Sequence, residues 1–136
     1  YMVEESMLAA DYLAEKCGVE CEIIDLHCIS HIDKDLILQS VKKTGAVVIA
    51  DTGWTRMGVA SEICKIILEH DGSMLKVAPI SLGMADSPCP TSHALEEGFY
   101  CDMSDVVNSI CEALNFPQRL TKEYAKSLRS SFKGPF

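Results

Sequence analysis

The stretch Ala46-Val-Val-Ile-Ala50 is uniformly apolar, with Gly45 before it and Asp51 after it. Five residues are too few for a helix, and the β-branched residues among them favour an extended strand. Because the stretch lacks the alternation of a half-exposed strand, we expect other elements to cover it on both faces. Such a strand is typical of a parallel sheet with helices on either side.

Helical and strand patterns alternate outward from this stretch. We predict strands at residues 19–26, 46–50 and 75–82, with Pro79 marking the last as an edge or bulged strand. We predict helices, several with a capping residue such as Asp33 at one end, over residues 3–17, 33–45, 59–67, 94–98, 104–115 and 120–131. Alternation of this kind indicates βαβ units, and therefore an α/β fold with three layers (α/β/α) and a mostly parallel sheet.

The opening helix predicts a gap in this sheet. Its apolar stripe must pack on a sheet, and it is formed by Val3, Met7, Ala10, Ala14 and Cys17. Three strands are few for so many helices, and each exposed Val or Ile would lose about 1.5–3 kcal/mol of burial. We therefore expect at least one strand upstream of Tyr1, so that the sequence is a piece of a longer chain.

Composition and length fit a soluble globular protein with one core. The chain has 136 residues, of which 48% are hydrophobic and 24% are charged. No apolar run approaches the roughly 20 residues that span a bilayer, and no signal peptide is visible. Seven cysteines are an odd number for a disulfide framework, so we predict reduced thiols that mostly fill the core of a cytoplasmic protein.

Charge divides the chain into two predicted segments. Residues 1–116 carry 7 basic and 19 acidic residues, whereas residues 117–136 carry 5 basic residues and one acidic residue. The acidic body argues against nucleic acid as a partner. We predict an α/β domain over residues 1–116 and a basic C-terminal helix or tail over residues 117–136. The basic segment suits either docking on an acidic protein surface or a solvated helix.

Three loops are expected at the carboxyl ends of the strands, where open α/β sheets bind ligands. They cover residues 27–31, 51–58 and 83–92. Gly58 and Ser61 would suit a phosphate at a helix N-terminus, but the same groups fit simple capping, and Glu62 would repel an anion. We expect capping.

Cysteine and histidine residues near the first of these loops raise the question of zinc. Cys21 and Cys28 lie about 23 Å apart if the segment between them is a strand, so they cannot share one ion. His27, Cys28 and His31 form only a weak trio in one loop, and Ser92 beside His93 does not make a catalytic triad. We predict no catalytic, cofactor-binding or metal-binding residue in this chain.

Trp54, Thr55 and Arg56 form the strongest candidate for a functional surface. A single tryptophan in a predicted loop either folds over the edge of the core or anchors an interface, and both possibilities remain open. Trp and Arg are enriched among the residues that dominate binding energy at protein interfaces.

An ordered set of segments over residues 2–115 resembles the C-terminal domain of the beta subunits of thiamine-diphosphate-dependent 2-oxoacid dehydrogenases. The segments are Glu22-Ile-Ile-Asp-Leu26, Ile32-Asp33, Ser40-Val-Lys-Lys-Thr-Gly45, Val47-Val-Ile-Ala-Asp51, Ser61-Glu-Ile63, Ala78-Pro-Ile80, Asp86-Ser-Pro-Cys-Pro-Thr-Ser92, Ala94-Leu-Glu96 and Phe99-Tyr100. Departures include His27 where the family usually has arginine, His31 where proline is common, and a shortened glycine-rich loop at residues 57–60. These departures indicate a divergent branch.

The resemblance implies a fold and a set of partners. The family domain is a three-layer α/β/α unit whose first helix follows an inner strand, in agreement with the gap inferred above. The implied partners are the chain's own upstream pyrimidine-binding domain, a second beta subunit, an alpha subunit and an acyltransferase core. This chain would then serve as an assembly domain.

The resemblance also implies thiamine diphosphate and magnesium in the parent oxidoreductase, which is similar to pyruvate dehydrogenase. The Gly-Asp-Gly…Asn signature that holds the cofactor's magnesium is missing from this sequence. In this family the glutamate that activates the cofactor lies in the upstream domain, so the isolated fragment is expected to be inactive. The alternatives are the C-terminal domain of a transketolase or deoxyxylulose-phosphate synthase, or a free-standing Rossmann-like module for a small ligand.

Overall fold

The computed structural model describes residues 1–92 and 98–131, and the side chains of residues up to 128. The helices in these ranges are α1 (Met2–Cys17), α2 (Lys34–Thr44), α3 (Val59–Asp71), α4 (Met103–Ala113) and α5 (Lys122–Ser131), with a short 3-10 helix at Gly72–Met74. The strands are β1 (Val48–Trp54) and β2 (Ile80–Met84). The chain divides into two compact units: a sheet unit, Glu22–Cys101, and a helical unit, Tyr1–Cys21 with Asp102–Phe136.

The sheet unit is built on a parallel pair of strands. β1 and β2 pair in parallel from Val48 opposite Ile80 to Trp54 opposite Met84, with an irregularity after Ala50. A parallel pair needs a crossover connection, and α3 supplies it. The predicted α/β fold of helices with a parallel sheet is confirmed.

An apolar cluster joins the sheet unit's helices to β1. Its buried members come from α2 (Ile37 and Val41), from β1 (Ile49) and from α3 (Ala60, Ile63 and Ile67). Their spacing of three or four residues places them on one face of each helix. This cluster holds the start of α3 against β1, and so it fixes the loop between them.

The helical unit packs α1 and α5 against α4. Leu13 of α1 and both Val107 and Cys111 of α4 are fully buried. The Asn108 side chain forms two hydrogen bonds with Leu120: its amide donates to the Leu120 carbonyl over 2.9 Å and its oxygen accepts the Leu120 N–H over 2.8 Å. These bonds and the buried Ala125 hold the basic C-terminal segment in place as far as the structure describes it.

The strand predicted at residues 19–26 is wrong. Among the described residues these form no sheet ladder, although Ile24 and Leu26 pack on the apolar cluster. The side chains of Ser40 and Lys43 in α2 donate to the Glu22 carboxylate. The residue types at 19–26 do favour an extended backbone, but a strand also needs a neighbour with which to exchange hydrogen bonds.

Two strand boundaries and one helix face also differ from prediction. β1 continues to Trp54, and β2 begins at Ile80, so Pro79 precedes the strand and removes no bond within it. The buried face of α1 is Glu5, Ala9 and Leu13, whereas the predicted stripe leaves Val3 37% and Met7 50% exposed. The helix predicted at residues 94–98 lies almost entirely outside the described residues.

Candidate functional site

Trp54 stands at the carboxyl end of β1 rather than in a loop. It is the last residue of the strand and lies opposite Met84 of β2 in the register. The residue is 57% exposed. A large aromatic group held by a strand and open to solvent is typical of an interface anchor.

The turn after Trp54 presents a second apolar side chain. Met57 is fully exposed and has a left-handed backbone with φ of 57°. That conformation costs a residue with a Cβ about 1–2 kcal/mol, so the surrounding chain must impose it. At Gly58, an added Cβ would lie 2.3 Å from the Trp54 carbonyl oxygen, so the turn closes only with glycine at this position.

An ion pair joins this turn to the loop after β2. The Arg56 guanidinium donates to the Asp86 carboxylate, and both side chains are largely exposed. The strands approach closely just before this pair, since a Cβ on Gly83 would lie 2.4 Å from the Gly53 carbonyl oxygen. We call Trp54, Thr55, Arg56, Met57 and Asp86 together the Trp54 surface.

The loop after β2 forms contacts with Phe99 and Tyr100. The Ala85 N–H donates to the Phe99 carbonyl over 2.7 Å, and the Phe99 side chain is buried at 5% exposure. The Phe99 ring meets the Tyr100 ring edge to face at 4.8 Å, and the Cys89 sulfur lies 3.7 Å from the Tyr100 hydroxyl. The backbone next to Asp86 is therefore held to Phe99 by a hydrogen bond.

The loop at residues 27–31 contains a short hydrogen-bonded chain. The Cys28 sulfur lies 3.2 Å from the Ser30 hydroxyl, which lies 3.0 Å from Nδ1 of His31. The Ser30 side chain, together with backbone hydrogen bonds, lowers the pKa of the exposed Cys28 thiol. Within residues 1–92 and 98–131, no three His, Cys, Asp or Glu side chains converge to hold a metal ion.

The start of α3 forms an ordinary helical turn. The Ser61 N–H donates to the Gly58 carbonyl over 3.0 Å, and Glu62 lies 3.7 Å from Lys65. An open groove of about 590 Å³ runs along the outer side of α3 and reaches Ser81. The phosphate hypothesis for Gly58 and Ser61 stays untested, and His93 of the suggested Ser–His pair lies outside the described residues.

The structure brings Trp54, Thr55 and Arg56 into one surface and adds two residues that the sequence did not indicate. The sequence places Met57 in a shortened glycine-rich loop, and nothing in that pattern indicates that its side chain is exposed. Asp86 is 30 residues from Arg56 in the chain, and no local pattern predicts their ion pair. In the described part of the chain, no helix combines the length and apolar character that crossing a bilayer requires.

Comparison with known proteins identifies relatives along most of the chain. The family model for the transketolase C-terminal domain matches residues 1–106. The pyruvate dehydrogenase E1 component subunit beta, mitochondrial, of Ascaris suum is 34% identical over 119 residues, covering 83% of this chain and 31% of that protein. The protein of the same name from Homo sapiens is 35% identical over 109 residues, covering 79% and 30%. That from Dictyostelium discoideum is 32% identical over 108 residues, again covering 79% and 30%.

The match covers most of this chain but only part of each relative. The chain spans about 30% of the length of these relatives, whereas the relatives cover about four fifths of the chain. The matched region includes both strands, the apolar cluster and the Trp54 surface, and it includes the start of α4. The chain belongs to the transketolase C-terminal domain family, in the form found in 2-oxoacid dehydrogenase beta subunits.

Proposed function

We propose that this chain is the assembly domain of a thiamine-diphosphate-dependent 2-oxoacid dehydrogenase beta subunit similar to that of pyruvate dehydrogenase. Its role is to complete the beta subunit and to bury subunit contact area, while decarboxylation takes place in other domains. The partners are its own upstream pyrimidine-binding domain, a second beta subunit and an alpha subunit, with an acyltransferase core as a further candidate. The names of the relatives, each an E1 component subunit beta, support this assignment.

The Trp54 surface is the observation that carries the proposal. It combines an exposed tryptophan, a fully exposed methionine and an arginine, which are the residue types enriched at protein interfaces. Its turn is tight, because Met57 has a left-handed backbone and a Cβ at Gly58 would lie 2.3 Å from the Trp54 carbonyl oxygen. Binding a partner therefore requires little ordering of the loop, and ordering is one of the main costs of association.

Two further open surfaces support a missing upstream portion. In the sheet unit, β1 pairs with β2 along one edge, and no described residue pairs with its other edge. In the helical unit, Val3 and Met7 of α1 form an exposed apolar pair one helical turn apart. An upstream strand would satisfy the backbone groups along the edge of β1.

One observation supports a cofactor site outside this chain. Magnesium at such a site is held by one or two carboxylates together with the phosphate oxygens of the cofactor. The Asp86 carboxylate, which stands at the carboxyl end of β2, is already paired with Arg56. We therefore assign no catalytic step to this chain and place the cofactor on other parts of the parent enzyme.

The assembly role is tested by measuring complex formation in the parent enzyme. We would co-express the full beta subunit with its alpha subunit and measure the dissociation constant of the assembly by sedimentation. Trp54→Ala should weaken association by at least about 30-fold, because truncation of a tryptophan anchor commonly costs about 2 kcal/mol or more. Met57→Ala should give a smaller loss of the same sign.

Leu36→Ala is the matched control, because Leu36 is a similarly exposed apolar residue, at 47%, on α2 of the same unit. It should leave the dissociation constant within about 2-fold of wild type. If Trp54→Ala and Leu36→Ala behaved alike, the Trp54 surface would not be an interface. Circular dichroism of each variant would establish that the fold is retained.

The compartment follows from the parent complex. We predicted a cytoplasmic location, whereas the three relatives are mitochondrial by name. We propose that the chain resides wherever its organism houses the dehydrogenase complex. Cell fractionation tests this, with one antibody against this chain and one against the alpha subunit. Both subunits should appear in the same fraction.

A further inference from the structure

Two cysteines of the helical unit lie side by side. Cys17 is the last residue of α1 and Cys111 lies near the end of α4, and their sulfur atoms are 3.9 Å apart. Both are free thiols, although they are 94 positions apart in the chain. A disulfide requires about 2.05 Å between the sulfurs, so they would have to approach by roughly 1.9 Å. Rotation about the Cα–Cβ bonds of the two residues moves the sulfurs without moving the backbone.

The packing of α1 on α4 holds this pair together. At the other end of the same two helices, the buried Glu5 carboxylate accepts the Met103 N–H over 2.7 Å. Between the two ends, Leu13 of α1 and Val107 of α4 are fully buried. The helices therefore run in the same direction and touch along their length, so a disulfide would link two elements that already lie together.

The two sulfurs differ in their access to solvent. Cys17 is half-buried at a helix end, whereas Cys111 is fully buried. Burial, and then the hydrogen bond with Cys17, raise the pKa of the Cys111 thiol, and the Arg119 guanidinium opposes this shift. An oxidant in solution therefore reaches Cys17 first, and Cys111 is placed to react with it afterwards.

We propose that Cys17 and Cys111 form a reversible redox site that is oxidised by small disulfides of the glutathione type. The Cys17 thiolate attacks one sulfur of glutathione disulfide, which breaks the S–S bond, gives a mixed disulfide and releases one glutathione thiolate. That thiolate accepts the Cys111 proton, and Cys111 then attacks the Cys17 sulfur and expels the second glutathione as a thiolate, which takes up from water the proton that Cys17 had released to it. In sum, two protein thiols and one glutathione disulfide become one protein disulfide and two glutathione thiols.

The structural consequence is a covalent link between two helices that are far apart in the sequence. The bond would join α1 to α4 and enclose the whole sheet unit in a loop. Closing a long loop in this way raises stability by restricting the unfolded chain. Disulfides in reducing compartments are mostly transient and serve redox sensing or catalysis, which fits a reversible link.

The test is oxidation followed by peptide mapping. Cys28 and Cys89 are exposed and would form intermolecular bonds, so both are replaced by serine in the background chain. After treatment with glutathione disulfide and alkylation, digestion with a protease that cuts after Glu and Asp separates Cys17 from Cys21 at Glu20. The same digestion separates Cys101 from Cys111 at Asp102 and Asp105.

The expected product is a single bond between the Cys17 and Cys111 peptides, with a mass loss of two hydrogens. Dithiothreitol should reverse it, and the thermal midpoint should be higher in the oxidised form. Cys17→Ser and Cys111→Ser should each abolish the bond. Cys21→Ser is the matched control and should leave it unchanged, since Cys21 is a half-buried thiol four positions from Cys17.

Three results would overturn the proposal. Full alkylation of Cys17 and Cys111 after oxidation would show that the pair does not react. A persistent glutathione adduct on Cys17 with Cys111 still free would rule out the second step. Pairing of either cysteine with a different one would show that the contact does not direct the chemistry. All three results are measured on the chain in which only Cys28 and Cys89 are replaced. They therefore hold even if Cys17→Ser or Cys111→Ser fails to fold.

Discussion

The two compact units bury different kinds of groups. In the helical unit the interior includes polar side chains, with Glu5 at 3%, Asp102 at 8% and Ser104 at 1% exposure. In the sheet unit, the core cluster of described residues is apolar throughout. The buried polar contacts of the helical unit include one between residues distant in sequence, from the Met103 N–H to Glu5, and one between neighbours, from Ser104 to Asp102. The sheet unit is therefore stabilised mainly by burial of apolar side chains, whereas the helical unit is stabilised by burial of apolar side chains together with buried polar contacts.

The largest effect is expected from the core of the sheet unit. Ile67→Ala removes a fully buried side chain from α3 and should lower the free energy of unfolding by about 2–5 kcal/mol. Leu68→Ala, at the next position and 60% exposed, should change it by less than about 0.5 kcal/mol. Denaturant unfolding measures both. Equal effects would mean that the apolar cluster does not hold this unit together.

The helical unit should respond to loss of a buried polar contact. Glu5→Ala leaves the Met103 N–H without its carboxylate acceptor at the start of α4, and should cost about 1–3 kcal/mol. Glu5→Gln keeps an acceptor and should cost less, whereas Glu4→Ala, at an exposed position in the same turn, is the control. Thermal unfolding compares the three. If Glu5→Ala left the stability unchanged, the contrast between the two units would be contradicted.

A smaller effect is expected at the start of α2. The Asp33 side chain accepts the Leu36 N–H over 3.0 Å as the N-cap. Asp33→Ala should therefore destabilise the sheet unit by about 1 kcal/mol. Gln39→Ala, in the exposed middle of the same helix, should be nearly neutral. Hydrogen exchange of the α2 amides would locate the loss, which should be concentrated in the first turn.

The smallest effect concerns an exposed carboxylate of the sheet unit. The hydrogen bond from Lys43, and then that from Ser40, lower the pKa of Glu22. Because the folded pKa lies below the unfolded one, the stabilisation is present above the ordinary carboxyl pKa and is lost as the pH falls through the lowered value. Lys43→Ala should raise the Glu22 pKa in an NMR titration, whereas Lys42→Ala should not. A shift with Lys42→Ala alone would contradict the assigned pair.

Features set by local pattern could be predicted from the sequence. The N-cap Asp33, the helix that begins at residue 59, and the helix over most of Met103–Ala113 all follow from caps and periodicity. The α/β class and the family resemblance, both confirmed, rest on the same order of elements. The caps and helices depend on neighbours within a few residues, and the class depends on the order of such elements along the chain, which is why one sequence was enough.

Features set by distant residues could not be predicted. Glu5, an acid, shares the buried face of α1 with Ala9 and Leu13 because its carboxylate accepts the Met103 N–H, and apolar periodicity does not indicate this contact. The strand at residues 19–26 was predicted from composition, although strand formation depends on a partner. The Arg56–Asp86 pair and the Cys17–Cys111 contact span 30 and 94 positions, and a single sequence contains no signal for either.

The placement of chemistry outside this chain is the central claim, and a titration tests it most directly. Isothermal calorimetry would compare this chain alone with the assembled enzyme, each titrated with thiamine diphosphate in the presence of magnesium. We expect saturable binding to the assembled enzyme and no saturable heat with the chain alone. Saturable binding of the cofactor to the chain alone would contradict it.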